Sequence, residues 1–344
     1  MRLTTQPATK LFQLDYVKTI GIVNNGLNGR GFANPYDTAV SKDGRIFVLN
    51  RCDAARVEAI RVGICNLEED YLGEFGKGFG TGDEQFGLPT AMAFDSQDRL
   101  YITDEYLHRV TVFDSSGNFL SKWGEFGSDE GQLAGPSGIA FDSQDNLYLS
   151  DTYNNRIQKF TSDGRFQASF GAEGNGKLNL PWGLTVDSQD NVFVADWGND
   201  QIKKFSSDGK FLAQYGSSGR GAGEFTRPSS VAVDNDGYIY VADWGNERVQ
   251  VLDHDGRFVQ KLRGEATHSK WAEDFLGVNV EEAEARARAD LEKDIEFFVD
   301  TPHEESSHIE KYFWGPASLL FDTEGRLFVT ETHRHRIQVY ERGD

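Results

Sequence analysis

The sequence predicts an all-β chain folded as a six-bladed β-propeller, and three observations carry that prediction. Short alternating apolar runs come in fours. Between Pro136 and Gly171 they are Ser137 to Phe141, Leu147 to Ser150, Arg156 to Phe160 and Phe166 to Phe170, fenced by turn residues at 143–146, 151–155 and 161–164. Alternation bounded by Asp, Asn, Ser and Gly reads as an antiparallel four-stranded meander. The meander then recurs, opened each time by a proline: Pro35, Pro89, Pro136, Pro181, Pro228 and Pro316, with gaps of 54, 47, 45, 47 and 88 residues. This is a propeller-like period with one large insertion. Finally, the last copy stops after its third strand, while the N-terminal run Tyr16 to Gly21 matches the fourth strands Phe119 to Gly124 and Phe211 to Gly216. That run is expected to complete the last blade, so that no sheet edge stays open.

The composition suits this fold. A chain of 344 residues with 37 Gly, 25 Phe and 12 Tyr can form one large β-rich domain with many tight turns, here placed at residues 10–344. Its two cysteines, Cys52 and Cys65, imply no disulfide framework. The N-terminus has no apolar leader core and no run reaches membrane-spanning length, so a cytoplasmic location is expected. A net charge of −20 argues against nucleic acid or an anionic membrane as partner.

Taken in order, the second strands are Arg45 to Leu49, Leu100 to Thr103, Leu147 to Ser150, Val192 to Ala195, Tyr238 to Ala242 and Leu327 to Thr330. Each is followed by an acidic or amide residue: Asn50, Asp104, Asp151, Asp196, Asp243 or Glu331. An arginine comes a few residues later, Arg56, Arg109, Arg156, Arg248 or Arg336, with Gln201 in the fourth copy. A catalytic group has no reason to recur in every copy. These residues are therefore read as scaffold that hydrogen-bonds backbone within or between blades.

Asp151-Thr-Tyr-Asn-Asn-Arg-Ile-Gln-Lys-Phe160, Asp243-Trp-Gly-Asn-Glu-Arg-Val-Gln-Val251 and Thr332-His-Arg-His-Arg-Ile-Gln-Val-Tyr340 resemble NHL repeats, as do the glycine-rich approaches to Pro136 and Pro228. The resemblance spans roughly residues 10–262 and 315–344 and implies an NHL-type propeller. Two related families mark departures. Peptide-amidating lyases carry zinc-binding histidines directly after the opening prolines, and none of the six residues here is His. Gluconolactonase-like and paraoxonase-like propellers hold calcium with carboxylates and amides at the channel, and those six residues include no Asp or Glu. NHL domains that bind RNA use a basic face, which the net charge opposes.

Residues 264–314 interrupt the repeat with a helical composition. Asn279 is expected to cap a helix beginning at Val280, with Val280, Ala283, Ala287, Leu291 and Ile295 as its apolar stripe. Shorter helices are expected from Glu304 to Phe313 and around Ser269 to Phe275. A link between a fourth strand and the next first strand lies on the same face as the second-to-third-strand loops. The insertion is accordingly placed over the channel mouth, as a lid, a rim stiffener or a docking surface. It holds fourteen Asp/Glu against five Lys/Arg, a charge of about −9.

The mouth is predicted to be ringed by the residues after the prolines, Tyr36, Thr90, Ser137, Trp182, Ser229 and Ala317, and by the loop residues Arg51, Cys52, Tyr106, Tyr153, Trp197, Trp244 and His333. Such an aromatic, mostly neutral ring suits a small organic ligand. It equally suits a protein partner, since Trp, Tyr and Arg dominate interface hot spots. Candidate catalytic residues are His333 as a general base, Arg51 as an oxyanion stabiliser, and Tyr36. Candidate ligand-binding residues are Tyr106, Tyr153, Trp182, Trp197 and Trp244. A divalent metal held by His333, His303, His308, Glu304, Glu305 or Glu331 would match no recognised ligand spacing, so the cofactor is left unknown and no metal set is assigned. The expected function is a lidded small-molecule site of hydrolase or lyase type; the alternative is a non-catalytic interaction scaffold.

Overall fold

A computed structural model describes residues 12–24, 28–52, 56–291 and 301–343. In the described residues its strands form six four-stranded antiparallel sheets and one short parallel pair, Ser217–Ser218 with Glu224–Phe225. Blade 1 comprises Pro35–Val40, Ile46–Asn50, Arg61–Cys65 and Tyr71–Phe75, and blade 2 Pro89–Phe94, Leu100–Asp104, Arg109–Phe113 and Phe119–Trp123. Blade 3 runs from Pro136–Phe141 to Phe166–Phe170, blade 4 from Pro181–Val186 to Phe211–Tyr215, and blade 5 from Ser230–Val233 to Phe258–Leu262. Blade 6 takes Pro316–Phe321, Leu327–Glu331 and Arg336–Arg342 from the end of the chain and Leu14–Ile20 from its beginning. The N-terminal strand pairs with Arg336–Arg342, Tyr16 opposite Tyr340 and Ile20 opposite Ile337, and so closes the ring.

A single meander buries one face only, so the core lies between blades. Phe47, Leu49 and Val62 of blade 1 pack on Met92, Leu100, Ile102 and Phe113 of blade 2. Tyr148 and Ile157 of blade 3 do the same against Val192, Val194 and Phe205 of blade 4.

The recurring polar residues tie loops to blades. Asp151, fully buried, accepts the Ala134 amide at 2.7 Å and the Arg156 Nε at 2.7 Å. Arg156 also donates to the Asp129 and Gln132 carbonyls. Asp243 with Arg248, and Glu331 with Arg336, repeat the arrangement. Blade 4 makes the pair differently: Gln201 takes the arginine position, and Lys203 reaches Asp196 at 2.9 Å. In blade 1 the partner of Asn50 in register is Arg61; Arg56 instead precedes the 3-10 turn Val57–Ala59, because this loop is longer than its counterparts.

A second recurring device joins neighbouring blades. The residue before each of these third strands is left-handed: His108, Asn155, Asp200, Glu247 and His335 have φ between 51° and 55°. That bend turns the side chain towards the next blade, where it accepts an amide hydrogen. His108 Nδ1 takes Gly135 N at 3.0 Å, Asn155 takes Leu180 N at 2.8 Å, and Asp200 takes Arg227 N at 2.7 Å. Glu247 takes Gly315 N at 2.5 Å, and His335 Nδ1 takes Asn34 N at 3.0 Å across the closure. The blade 1 position is Ile60, at φ −64°, which has no acceptor to offer.

The described residues of the insertion carry three helices, α1 (Lys270–Val278), α2 (Val280–Arg288) and α3 (Pro302–His308). Ser269 caps α1 and anchors it by donating to the Gly21 carbonyl at 2.6 Å. Trp271 of α1 is buried against Phe32, and its indole donates to the Glu69 carbonyl of blade 1. Asn279 stands before α2 but does not cap it; its side chain donates back to the Phe275 carbonyl at 2.7 Å and so closes α1. Ile295, the last residue of the expected stripe, lies outside the described residues. α3 is capped by Thr301 and packs on the 3-10 turn Trp244–Asn246 of blade 5. The insertion is thus divided: α1 is fixed to the outer strand of blade 6 and to blade 1, whereas α3 stands beside the mouth-face loops of blade 5.

Candidate functional site in the central channel

The first strand of every blade faces the axis, and together they enclose a channel cavity of about 490 Å3. An innermost strand has no neighbour on its axial side, so its backbone donors and acceptors need partners from the next blade. Hydroxyls supply several of them. Thr90 donates to the Pro136 carbonyl at 2.9 Å, Ser229 to the Pro316 carbonyl at 2.9 Å, and Thr332 to the Pro35 carbonyl at 2.9 Å. Where blades 3, 4 and 5 meet, glycine is required instead. A Cβ on Gly138 would lie 2.4 Å from the Trp182 oxygen, and one on Gly183 2.5 Å from the Ser229 oxygen.

One position in this girdle is charged. The second residue after each opening proline is Asp37, Ala91, Gly138, Gly183, Ser230 or Ser318. Asp37 accepts the Met92 amide at 2.7 Å and the Thr38 amide at 2.8 Å, and it is hydrogen-bonded by the Ser318 side chain. It lines the channel half-buried, with part of its surface facing the cavity. Burial therefore pushes its carboxyl up from 3.8 to about 6, against the downward pull of those hydrogen bonds. Tyr36 and Asp37 both line the channel, next to a register shift of the first strand between Pro35 and Asp37. Comparing the copies one residue beyond Tyr36, Thr90, Ser137, Trp182, Ser229 and Ala317 is the signal that would have found it.

Of the residues predicted from sequence, Tyr36, Trp182, Trp197, Trp244 and His333 line the cavity. Arg51, Tyr106 and Tyr153 do not. The Arg51 guanidinium lies 4.6 Å over the Tyr36 ring and pairs with Glu105 at 3.0 Å. Glu105 also accepts the Tyr153 hydroxyl, a bond that, ahead of burial, pushes the phenol up to about 12. Arg51 is thus neutralised by a partner and holds the rim across blades 1, 2 and 3. Tyr106 is 56% exposed and packs against Phe79.

His333 sits at the wall between blade 6 and the insertion. Its Nδ1 is buried with no hydrogen-bond partner, and its ring packs on Gly315, where a Cβ would come within 2.7 Å. Burial, and secondarily the nearby His303, lower its pKa, so its neutral form prevails near pH 7. His303, from α3, binds Glu247 at 2.6 Å, and its ring lies 5.8 Å from that of His333 and 5.6 Å from that of Trp314. Glu247 is buried, and desolvation pushes its carboxyl up. A calcium site of the gluconolactonase kind needs several oxygen donors. The channel wall offers one carboxylate, and among the described residues no group of three or more His, Cys, Asp or Glu could hold an ion. The donor set does not fit that ion.

Comparison with known proteins agrees with the architecture. A family model described as a 6-bladed beta-propeller matches residues 184–272. The chain is a six-bladed β-propeller. A second model, described as an SMP-30/gluconolactonase/LRE-like region, matches residues 92–222. No curated protein matches the chain. Among solved structures, a protein of unknown function from Bacteroides thetaiotaomicron is similar at 18% identity and TM-score 0.61, over 96% of this chain and 76% of that one. A putative gluconolactonase is similar at 12% identity and TM-score 0.57, over 98% and 93%. A catalytically inactive virginiamycin B lyase from Staphylococcus aureus with quinupristin gives 14% and 0.56, over 96% and 99%. At these identities the likeness shows the fold. In the described residues no helix is long and apolar enough to cross a membrane.

Proposed function

We propose that this is an NHL-type propeller whose central channel binds a small organic ligand and acts on it with hydrolase- or lyase-type chemistry. The observation that carries the reading is the cavity of about 490 Å3, walled by Tyr36, Trp182, Trp197 and Trp244 and, among the described residues, holding two side chains fit for proton transfer near neutral pH, Asp37 and His333. This volume is that of an ordinary small-molecule site. A neutral imidazole with a free, buried nitrogen is suited to take a proton from a substrate or from water. The gluconolactonase-like match supports the reaction class, although it covers blades 2 to 4, whereas Asp37 and His333 belong to blades 1 and 6. α3 stands beside the mouth, its His303 ring 5.8 Å from that of His333, and is the part of the insertion placed to serve as a lid.

The test is a panel of lactones and esters followed by proton release. Turnover of at least one member is expected, falling about 100-fold or more in His333→Ala. A panel without turnover rejects hydrolysis; unchanged turnover in the variant removes His333 from the chemistry. A second reading, a docking scaffold, is favoured by the exposure of Tyr106, Phe126 and Tyr153, at 56%, 66% and 53%. It predicts that Tyr106→Ala leaves any turnover untouched while weakening a protein complex.

A further inference from the structure

Resting on the reading of the channel as a small-molecule site, we infer that its ligand carries a positive charge, an amine or ammonium group set against Asp37 and surrounded by the channel's aromatic rings.

The first argument is a comparison between blades. Ser230 occupies in blade 5 the position that Asp37 occupies in blade 1, and its hydroxyl accepts the Leu319 amide of the next blade at 3.1 Å. Asp37 accepts the equivalent amide, that of Met92, at 2.7 Å. A neutral hydroxyl thus performs the structural task, and the carboxylate adds a charge that the task does not require. The second argument is the absence of compensation. Among the described residues no Lys or Arg lines the cavity, Asp37 is its one acidic side chain, and the other titratable groups there are Tyr36 and His333. Its hydrogen-bond partners are amides of Met92 and Thr38 and the hydroxyl of Ser318, all uncharged. A partly desolvated carboxylate without a counter-charge is costly, and a cation brought by a ligand recovers that cost. The third argument is the wall. Tyr36, Trp182, Trp197 and Trp244 face the same cavity, and aromatic faces favour cations once water is excluded. The arginines near the mouth do not supply the missing charge: Arg51 is paired with Glu105, and Arg227 lies over Trp197 outside the cavity lining.

The experiment compares 2-phenylethylamine, 2-phenylethanol and phenylacetate, three probes of similar size that differ in charge, by calorimetry on the whole protein. The amine is expected to bind about tenfold or more tightly than the alcohol, with phenylacetate weakest. In Asp37→Asn the amine should fall to the alcohol's affinity while the alcohol is unchanged. In the wild type, amine affinity should drop as pH falls through about 6, where Asp37 takes up its proton; the alcohol should stay level, and the drop should vanish in Asp37→Asn. The wild-type comparison stands even if the variant folds poorly. Equal binding of amine and alcohol overturns the inference and leaves the small-molecule site standing. Binding of none of the three overturns both.

Discussion

Two sets of carboxylates in this propeller, at the ends of the second strands of blades 3 to 6 and in the channel, are provided for differently. At the ends of the second strands, Asp151, Asp196, Asp243 and Glu331 have no solvent exposure at all, and each meets a cation, Arg156, Lys203, Arg248 or Arg336, at 2.7 to 2.9 Å. In the channel, Asp37 meets only neutral donors. A buried charge that brings its own counter-charge belongs to the scaffold, since removing either member strands the other. Asp104, at the same place in blade 2, is buried on backbone amides alone, so a missing counter-charge does not by itself mark function; Asp37 differs in lining a cavity, where a strongly perturbed group is a candidate for function.

The contrast can be broken at either end. The largest effect is expected at the scaffold. Asp243→Ala would leave Arg248 buried without its partner and the Thr226 amide without its acceptor, at a cost of about 3–5 kcal/mol, read from urea unfolding midpoints. At the channel the sign reverses. The folded state holds the Asp37 proton up to about pH 6, while the unfolded chain releases it near 3.8. Stability is therefore lost as pH rises from about 4 to about 6 and does not return above that. Asp37→Asn removes this loss and should be more stable than the wild type by up to about 3 kcal/mol near neutral pH, the gap closing towards pH 4 in a series of melts. A destabilised Asp37→Asn at neutral pH would place Asp37 with the scaffold. The smallest effect concerns the links between blades. His108→Ala leaves the Gly135 amide without its acceptor and should cost about 1 kcal/mol, with faster exchange of that amide.

The architecture was legible because it is repeated. The proline spacing, the short third-strand ending and the matching N-terminal run led to six blades and a closed ring, and each copy checked the others. The Asp–Arg pairs were legible as scaffold for the same reason. Local exceptions were harder to read. Arg56 was paired with Asn50 by spacing, but the longer loop of blade 1 hands that position to Arg61. Lys203 standing in for an arginine two positions earlier left no mark in an arginine count.

Period, strand order and the aromatic character of the channel mouth follow from the linear chain, because they depend on neighbours a few residues apart and on a pattern that recurs. Which polar group becomes functional depends on encounters across the ring. Asp37 matters because Met92 and Ser318 approach it from the blades on either side, at separations of 55 and 281 residues, and because it lines the closed channel. Arg51 loses its candidate role because Glu105, from the next blade, takes its charge. Burial and charge pairing are properties of the closed ring, and only folding brings those partners together.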